Sequence, residues 1–135
     1  MPQLKTRKIF ICHSWSYDSH YYQLENWLNE APNFQWYNYS VPRHDSCDEV
    51  TSKGLTDCIL KQIRPAQFVV VLAGMYASHS AWIDFEIDEA VRMGKTIIGV
   101  KPWGQERLPQ KIQDNATVIV GWNSNSVVSA IRAWS

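Results

Sequence analysis

The sequence predicts an α/β domain built on a parallel, doubly wound sheet, and three observations carry that prediction. Short apolar runs alternate along the chain with amphipathic stretches of helical period. One run, Gln67-Phe68-Val69-Val70-Val71-Leu72-Ala73, is apolar without alternation, as a strand covered on both faces must be. Finally, the 135 residues are 45% hydrophobic and include seven Trp, six Tyr and four Phe, enough buriable surface for one core and too short a chain for two ordinary ones. Residues 1–135 are therefore expected to form a single domain.

The elements follow in order. Lys8-Ile9-Phe10-Ile11-Cys12 reads as the first strand. Ser16 and Asp18 offer N-cap oxygens before Tyr21, Leu24, Trp27 and Leu28, which share one helical face. Pro32-Asn33 ends that helix, and the aromatic stretch Phe34 to Tyr39 reads as the second strand. Ser40 to Gly54, with Pro42, Arg43, His44, Asp45 and Asp48, suits a long polar loop of the kind that usually serves function. Leu55, Ile59, Leu60 and Ile63 mark a helix stopped by Pro65, and the third strand follows. Ser78 or Ser80 is expected to cap a helix from Ala81 to Met93, closed by Gly94. Thr96 to Val100 is the fourth strand. Pro102 and Pro109 bracket an irregular segment with room for a short helical turn. Thr117 to Val120 is the fifth strand, and Ser126 to Trp134 the last helix. Five strands joined by helical crossovers imply a flavodoxin-like sheet in the order 2-1-3-4-5 with helices on both faces.

In such sheets ligands bind outside the carboxyl ends of the strands, where the strand order reverses. The rule selects the segments after the first and third strands, Cys12-His13-Ser14-Trp15 and Gly74-Met75-Tyr76-Ala77-Ser78, with the Ser40 to Gly54 loop on the same rim.

Composition excludes several functions. Thirteen Lys+Arg balance thirteen Asp+Glu, so no basic excess attracts nucleic acid. No apolar run approaches the roughly 20 residues that span a bilayer, and no export signal is visible at the N-terminus. Cys12, Cys47 and Cys58 have neither metal-ligand spacing nor the even count of a disulfide scaffold, so a reducing cytoplasm is the expected location. His13, His20, His44 and His79 form no recognisable ligand set, so no metal is expected. Glycine-rich phosphate fingerprints are absent, which excludes a standard dehydrogenase or P-loop site. A phosphoacceptor receiver domain would end its first strand in a carboxylate, whereas this one ends Ile11-Cys12-His13-Ser14. Trp15 and Trp82 lie where stacking on a base is possible, and the other tryptophans read mostly as packing.

Glu86 breaks the pattern of its helix. At 100° per residue, Asp84, Asp88, Arg92 and Lys95 share a solvated side, with Asp88 and Arg92 at pairing distance. Glu86 projects about 160° from Asp84 and from Asp88, among Trp82, Ala90 and Met93 on the apolar side. Burial there is costly unless the carboxylate is paired, and such groups mark both functional sites and structural ion-pair networks.

Lys8-Ile9-Phe10-Ile11-Cys12-His13-Ser14, Asn38-Tyr39-Ser40-Val41-Pro42 and Ser80-Ala81-Trp82-Ile83-Asp84-Phe85-Glu86 together resemble the TIR superfamily, and more closely the TIR-like ThsB family of bacterial Thoeris antiphage systems. The likeness extends to Ile97-Ile98-Gly99-Val100, Pro102-Trp103-Gly104 and the tail from Trp122 to Ile131. Trp82…Glu86 matches the segment in which enzymatic TIR domains carry their catalytic glutamate, and the resemblance implies that role for Glu86.

The resemblance implies cleavage of the nicotinamide–ribose bond of NAD, a substrate here and not a cofactor, with conversion of the ADP-ribose part to a cyclic signalling nucleotide that activates a partner effector. It implies substrate contacts from His13, Ser14, Trp15, Ser40, Asp45, Tyr76 and Trp82. Ser40 to Gly54 corresponds to the loop through which TIR domains self-associate on activation, and a phage protein is an implied trigger. Cys12 stands where many relatives carry Ser. Two alternatives stay open: a non-catalytic self-association or protein-interaction module, and a nucleoside deoxyribosyltransferase-like enzyme whose rim glutamate is a covalent nucleophile.

Overall fold

The computed structural model describes residues 6–12, 19–40, 52–73, 76–101 and 108–134, with the side chains at 20, 52–55 and 76–80 left aside. Strands β1 (Thr6–Ile11), β2 (Gln35–Asn38), β3 (Phe68–Leu72), β4 (Thr96–Val100) and β5 (Val118–Val120) form one sheet in the order β2-β1-β3-β4-β5, and every pairing is parallel. Helices α1 (Ser19–Glu30), α2 (Ser52–Ile63), α3 (Tyr76–Arg92), α4 (Gln110–Asn115) and α5 (Ser124–Ala133) supply the crossovers. α1 packs with α5, and α3 packs with α2 and α4. This is the doubly wound, flavodoxin-like order that the alternation of apolar runs predicts.

Burial follows strand position. All five residues of central β3 are buried, as is Ile9 through Ile11 of β1, whereas edge strand β2 alternates exposed and half-buried residues. Leu24 and Leu28 of α1, Ile59 and Ile63 of α2, Ile83, Ile87 and Ala90 of α3, and Val127 and Ile131 of α5 cover the sheet. A core of this breadth drives helix formation more than local propensity does.

Several boundaries differ from the sequence expectation. α2 starts at Ser52, so Gly54 lies within the helix and not in the preceding loop. The packing of its apolar face outweighs the roughly 1 kcal/mol a helical glycine costs. α3 starts at Tyr76, which puts Ser78 and Ser80 inside the helix where caps were expected. The short helix α4 follows Pro109, a residue suited to a helix entry, while the helical turn expected between Pro102 and Pro109 falls on residues 102–107, outside the described ones. α5 begins two residues early, with Asn123 accepting a 2.8 Å hydrogen bond from Ser126 N as N-cap. Asp88 pairs with Lys111 of α4 at 2.5 Å, while Arg92 pairs with Glu89, so the expected Asp88–Arg92 pair does not form. Trp134 is half-exposed, unlike the packing residue it was expected to be. Cys58 is in a disulfide, which the odd count of three cysteines, read as no disulfide scaffold, did not lead one to expect, and Cys12 is a free, buried cysteine.

Two glycines have distinct reasons. Gly94 ends α3 at φ +70°, with Gly94 N on Val91 O and Lys95 N on Ala90 O, the paired hydrogen bonds of a Schellman turn. Gly99 of β4 instead admits a close approach: a Cβ there would lie 2.8 Å from Ile112 Cγ2 of α4.

Helix α5 also ties back to the turn before β2. The Arg132 guanidinium donates to Pro32 O and lies 5.8 Å from the Phe34 ring centroid, with Arg7 at 5.1 Å from the same ring. The indoles of Trp27 and Trp122 meet at 4.7 Å.

Candidate active site

Helix α3 packs on β3 and β4 and turns Ile83, Glu86, Ile87 and Ala90 inward. Glu86 is fully buried and, with Ser40, one of two buried polar or charged residues among those described. Its Oε1 is sealed from water and accepts no hydrogen bond from a described residue, while the side chain as a whole is engaged with its surroundings. Asp84 is half-buried and Asp88 exposed, so the helical arithmetic that singled out Glu86 describes the observed faces.

Glu86 lies near the carboxyl end of β1. The Cys12 thiol, one residue past that strand, is pushed well above the ordinary range by its complete burial and, secondarily, by the negative charge of Glu86. A carboxylate and a protonated thiol thus lie by the carboxyl end of β1, which pairs with β3 at the point where the strand order reverses. Cys12 N donates to Val70 O at 2.9 Å, which ties the end of β1 to the middle of β3.

Trp82 stands one turn before Glu86, half-buried, its ring edge-on to Phe85 at 6.0 Å. Tyr76 is the first residue of α3, about 15 Å along the helix axis from Glu86 at 1.5 Å per residue, so the two would meet different parts of an extended ligand. Its side chain, like His13, Ser14, Trp15 and Asp45 entirely, lies outside the described residues.

Ser40 is buried, and its Oγ accepts from Ile11 N at 2.9 Å. Its own N–H donates to Asn38 Oδ1 at 2.9 Å. Asn38 Nδ2 in turn donates to the Tyr21 hydroxyl at 3.0 Å and to Glu25 Oε2 at 3.2 Å, and Tyr21 donates to that same oxygen at 3.1 Å. Burial pushes the Tyr21 phenol up to about 12, opposed by the Asn38 hydrogen bond and reinforced by the charge of Glu25. Ser40 was expected at the site, whereas Asn38 stood only within the family-like segment and Tyr21 only as a helix-face residue, with no link to Glu25. The available signal was a polar Asn-x-Ser spacing at the end of an otherwise aromatic strand.

Among the described residues no group of three or more His, Cys, Asp or Glu could hold a metal ion, and no helix is long and apolar enough to cross a membrane. A surface groove of about 280 Å³ lies between α1 and α5, lined by Trp27, Pro32, Asn125, Val128 and Arg132 among others.

Similarity to known proteins agrees with this architecture. No curated protein matches the sequence significantly. Among solved structures, the Clostridium botulinum CMP N-glycosidase BcmB is similar in fold, with a TM-score of 0.60 at 15% identity over 95% of this chain and 100% of that one. The family model described as Thoeris protein ThsB, TIR-like domain, matches residues 10–107, which run from the last two residues of β1 through β4 and include the Glu86 segment. The chain belongs to the TIR-like ThsB family of Thoeris proteins.

Proposed function

We propose that the protein is an NAD-consuming enzyme in which Glu86 is the catalytic carboxylate, that it breaks the nicotinamide–ribose bond, and that it closes the remaining ADP-ribose into a cyclic signalling nucleotide. The observation that carries the reading is a fully buried carboxylate beside the β1 strand end, at the switch point of a ThsB-family sheet.

The chemistry needs one such group. Nicotinamide in NAD is cationic and leaves as a neutral molecule, taking the electron pair of the C1′–N bond, so no general acid is required. Positive charge then develops on the ribose as an oxocarbenium ion. A carboxylate in a water-poor site stabilises that charge far more than one in bulk solvent. It also accepts hydrogen bonds from ribose hydroxyls that orient the sugar. Water attacking C1′ gives ADP-ribose and a proton. A nucleophilic atom of the same ADP-ribose, folded back on itself, gives the cyclic product when water is held off. Trp82 and Tyr76, with His13, Ser14, Trp15 and Asp45, are the proposed contacts to the rest of the substrate, whereas Ser40, buried with its Oγ on Ile11 N, acts from behind the site. The cyclic product would then reach a partner effector in the cytoplasm, with self-association and a phage protein as the proposed trigger.

A second reading is favoured by one observation, the fold likeness to a CMP N-glycosidase. It keeps the same bond type and the same carboxylate, and exchanges NAD for a nucleoside monophosphate.

Mass spectrometry after incubating concentrated protein with NAD, or with CMP, separates the two. Nicotinamide release and a species at the mass of cyclised ADP-ribose, lost in Glu86→Gln, are expected. Cytosine release from CMP with NAD intact would replace the first reading by the second. Undiminished NAD cleavage by a folded Glu86→Gln would remove Glu86 from the reaction.

A further inference from the structure

A parallel ladder between β1 and β2 in the observed register would carry Ile11 N onto the carbonyl of Tyr39, two residues after Tyr39 N has donated to Ile9 O. The chain does something else. Ser40 Oγ takes the place of that carbonyl, at 2.9 Å from Ile11 N, and the backbone is released from the sheet one residue early. The turn that permits this is an Asx turn, Ser40 N on Asn38 Oδ1. Both protons of the Asn38 amide are then used on α1, one on Tyr21 and one on Glu25. An amide is required at this position, since an aspartate could accept from Ser40 N but not donate, and would set a second carboxylate beside Glu25.

We infer that Asn38 and Ser40 are positioning residues for the Glu86 site: through Ile11 they fix the end of β1, Ile11–Cys12, against Glu86. The inference rests on the reading of Glu86 as the catalytic carboxylate. The β3 side of this strand end is held by a backbone bond, Cys12 N to Val70 O, which survives any side-chain change. The β2 side is held by the Ser40 hydroxyl and the amide behind it, so placement of the strand end depends on these two side chains. Neither group touches the reacting atoms.

The test uses the full chain and two readouts on each variant. The first is the rate at which iodoacetamide alkylates Cys12, the buried free thiol, quantified by peptide mapping under native conditions. Asn38→Ala and Ser40→Ala are expected to alkylate about tenfold faster, the effect of losing one buried hydrogen bond on a local opening. The control is Asn29→Ala, which removes a 2.8 Å bond to Trp36 Nε1 on the same strand β2 and is expected to stay within about twofold of wild type. Asn38→Asp, nearly isosteric, carries the test should an alanine variant fail to fold, and is also expected to be faster. The second readout is NAD turnover, where kcat is expected to fall about tenfold in the bracket variants with KM within about twofold, as for a group that places catalytic machinery.

Unchanged Cys12 alkylation in the bracket variants would overturn the inference whether or not the protein cleaves NAD. Faster alkylation with unchanged kcat would overturn it too, leaving the bracket a purely structural device. If wild type leaves NAD intact, the functional reading falls, and the alkylation rates still decide whether Asn38 and Ser40 hold the strand end.

Discussion

Replacing Glu86 by Gln separates a catalytic carboxylate from a structural one by thermodynamics alone. The side chain is fully buried, and moving an ionised carboxylate out of water retains an effective cost of several kcal/mol after relaxation. An amide of the same shape costs about 1–3 kcal/mol when its hydrogen bonds are incomplete. If Glu86 is kept for chemistry, the exchange should stabilise the fold by about 1–2 kcal/mol, the usual trade of stability against activity at a reaction site. With an unfolding entropy of about 2.1 cal/mol/K per residue, 135 residues give about 0.28 kcal/mol/K, so the variant should melt roughly 4–7 °C higher. Urea titration at constant m and a thermal melt, both at pH 8, measure the change. If instead the carboxylate holds the helix through a buried pair, removing its charge should cost about 3–5 kcal/mol. A destabilisation of that size would refute the catalytic assignment independently of any assay on NAD.

Two further predictions rest on the glycines and on the buried acids. Gly99→Ala should cost about 1–3 kcal/mol through overpacking and be partly rescued by Ile112→Leu, which removes the Cγ2 atom the new Cβ meets, whereas Gly94→Ala should cost about 1 kcal/mol from its positive φ and gain nothing from that second change. Urea midpoints of the single and double variants check both. At high pH the Cys12 thiol and the Tyr21 phenol both have raised values in the folded protein, so the unfolded chain releases their protons first and stability should decline as pH rises through about 9 for Cys12 and from about 10 to 12 for Tyr21. Cys12→Ala and Tyr21→Phe should each flatten that alkaline limb in melts recorded between pH 8 and 11.

How much of this was legible in the sequence depended on the range of the interaction. The unbroken apolar run Phe68 to Leu72 and the strand-helix alternation announced a parallel sheet because burial on both faces leaves a local signature. Glu86 was legible for the same reason, since a helix turns 100° per residue whatever it packs on. The start of α3 was not, because Ser78 and Ser80 look like caps in isolation, whereas the helix already begins at Tyr76. Asp88 found Lys111 across 23 residues instead of Arg92 across four, a choice set by the placement of α4. The Asn38–Ser40 bracket was equally hidden: its partners, Tyr21, Glu25 and Ile11, come from two other elements.

The clasp of Arg132 on Pro32 and Phe34 bears on where this domain can be cut. The recognisable family segment ends at 107, yet Val127 and Ile131 beyond it are fully buried, and α5 reaches back to the turn that opens β2. A piece trimmed to the region of family likeness would bare the outer edge of β4 and uncover α1, inviting edge-to-edge aggregation in place of a folded product. The minimal unit that folds is therefore larger than the segment of family likeness, closing only when the last helix returns to the turn before β2.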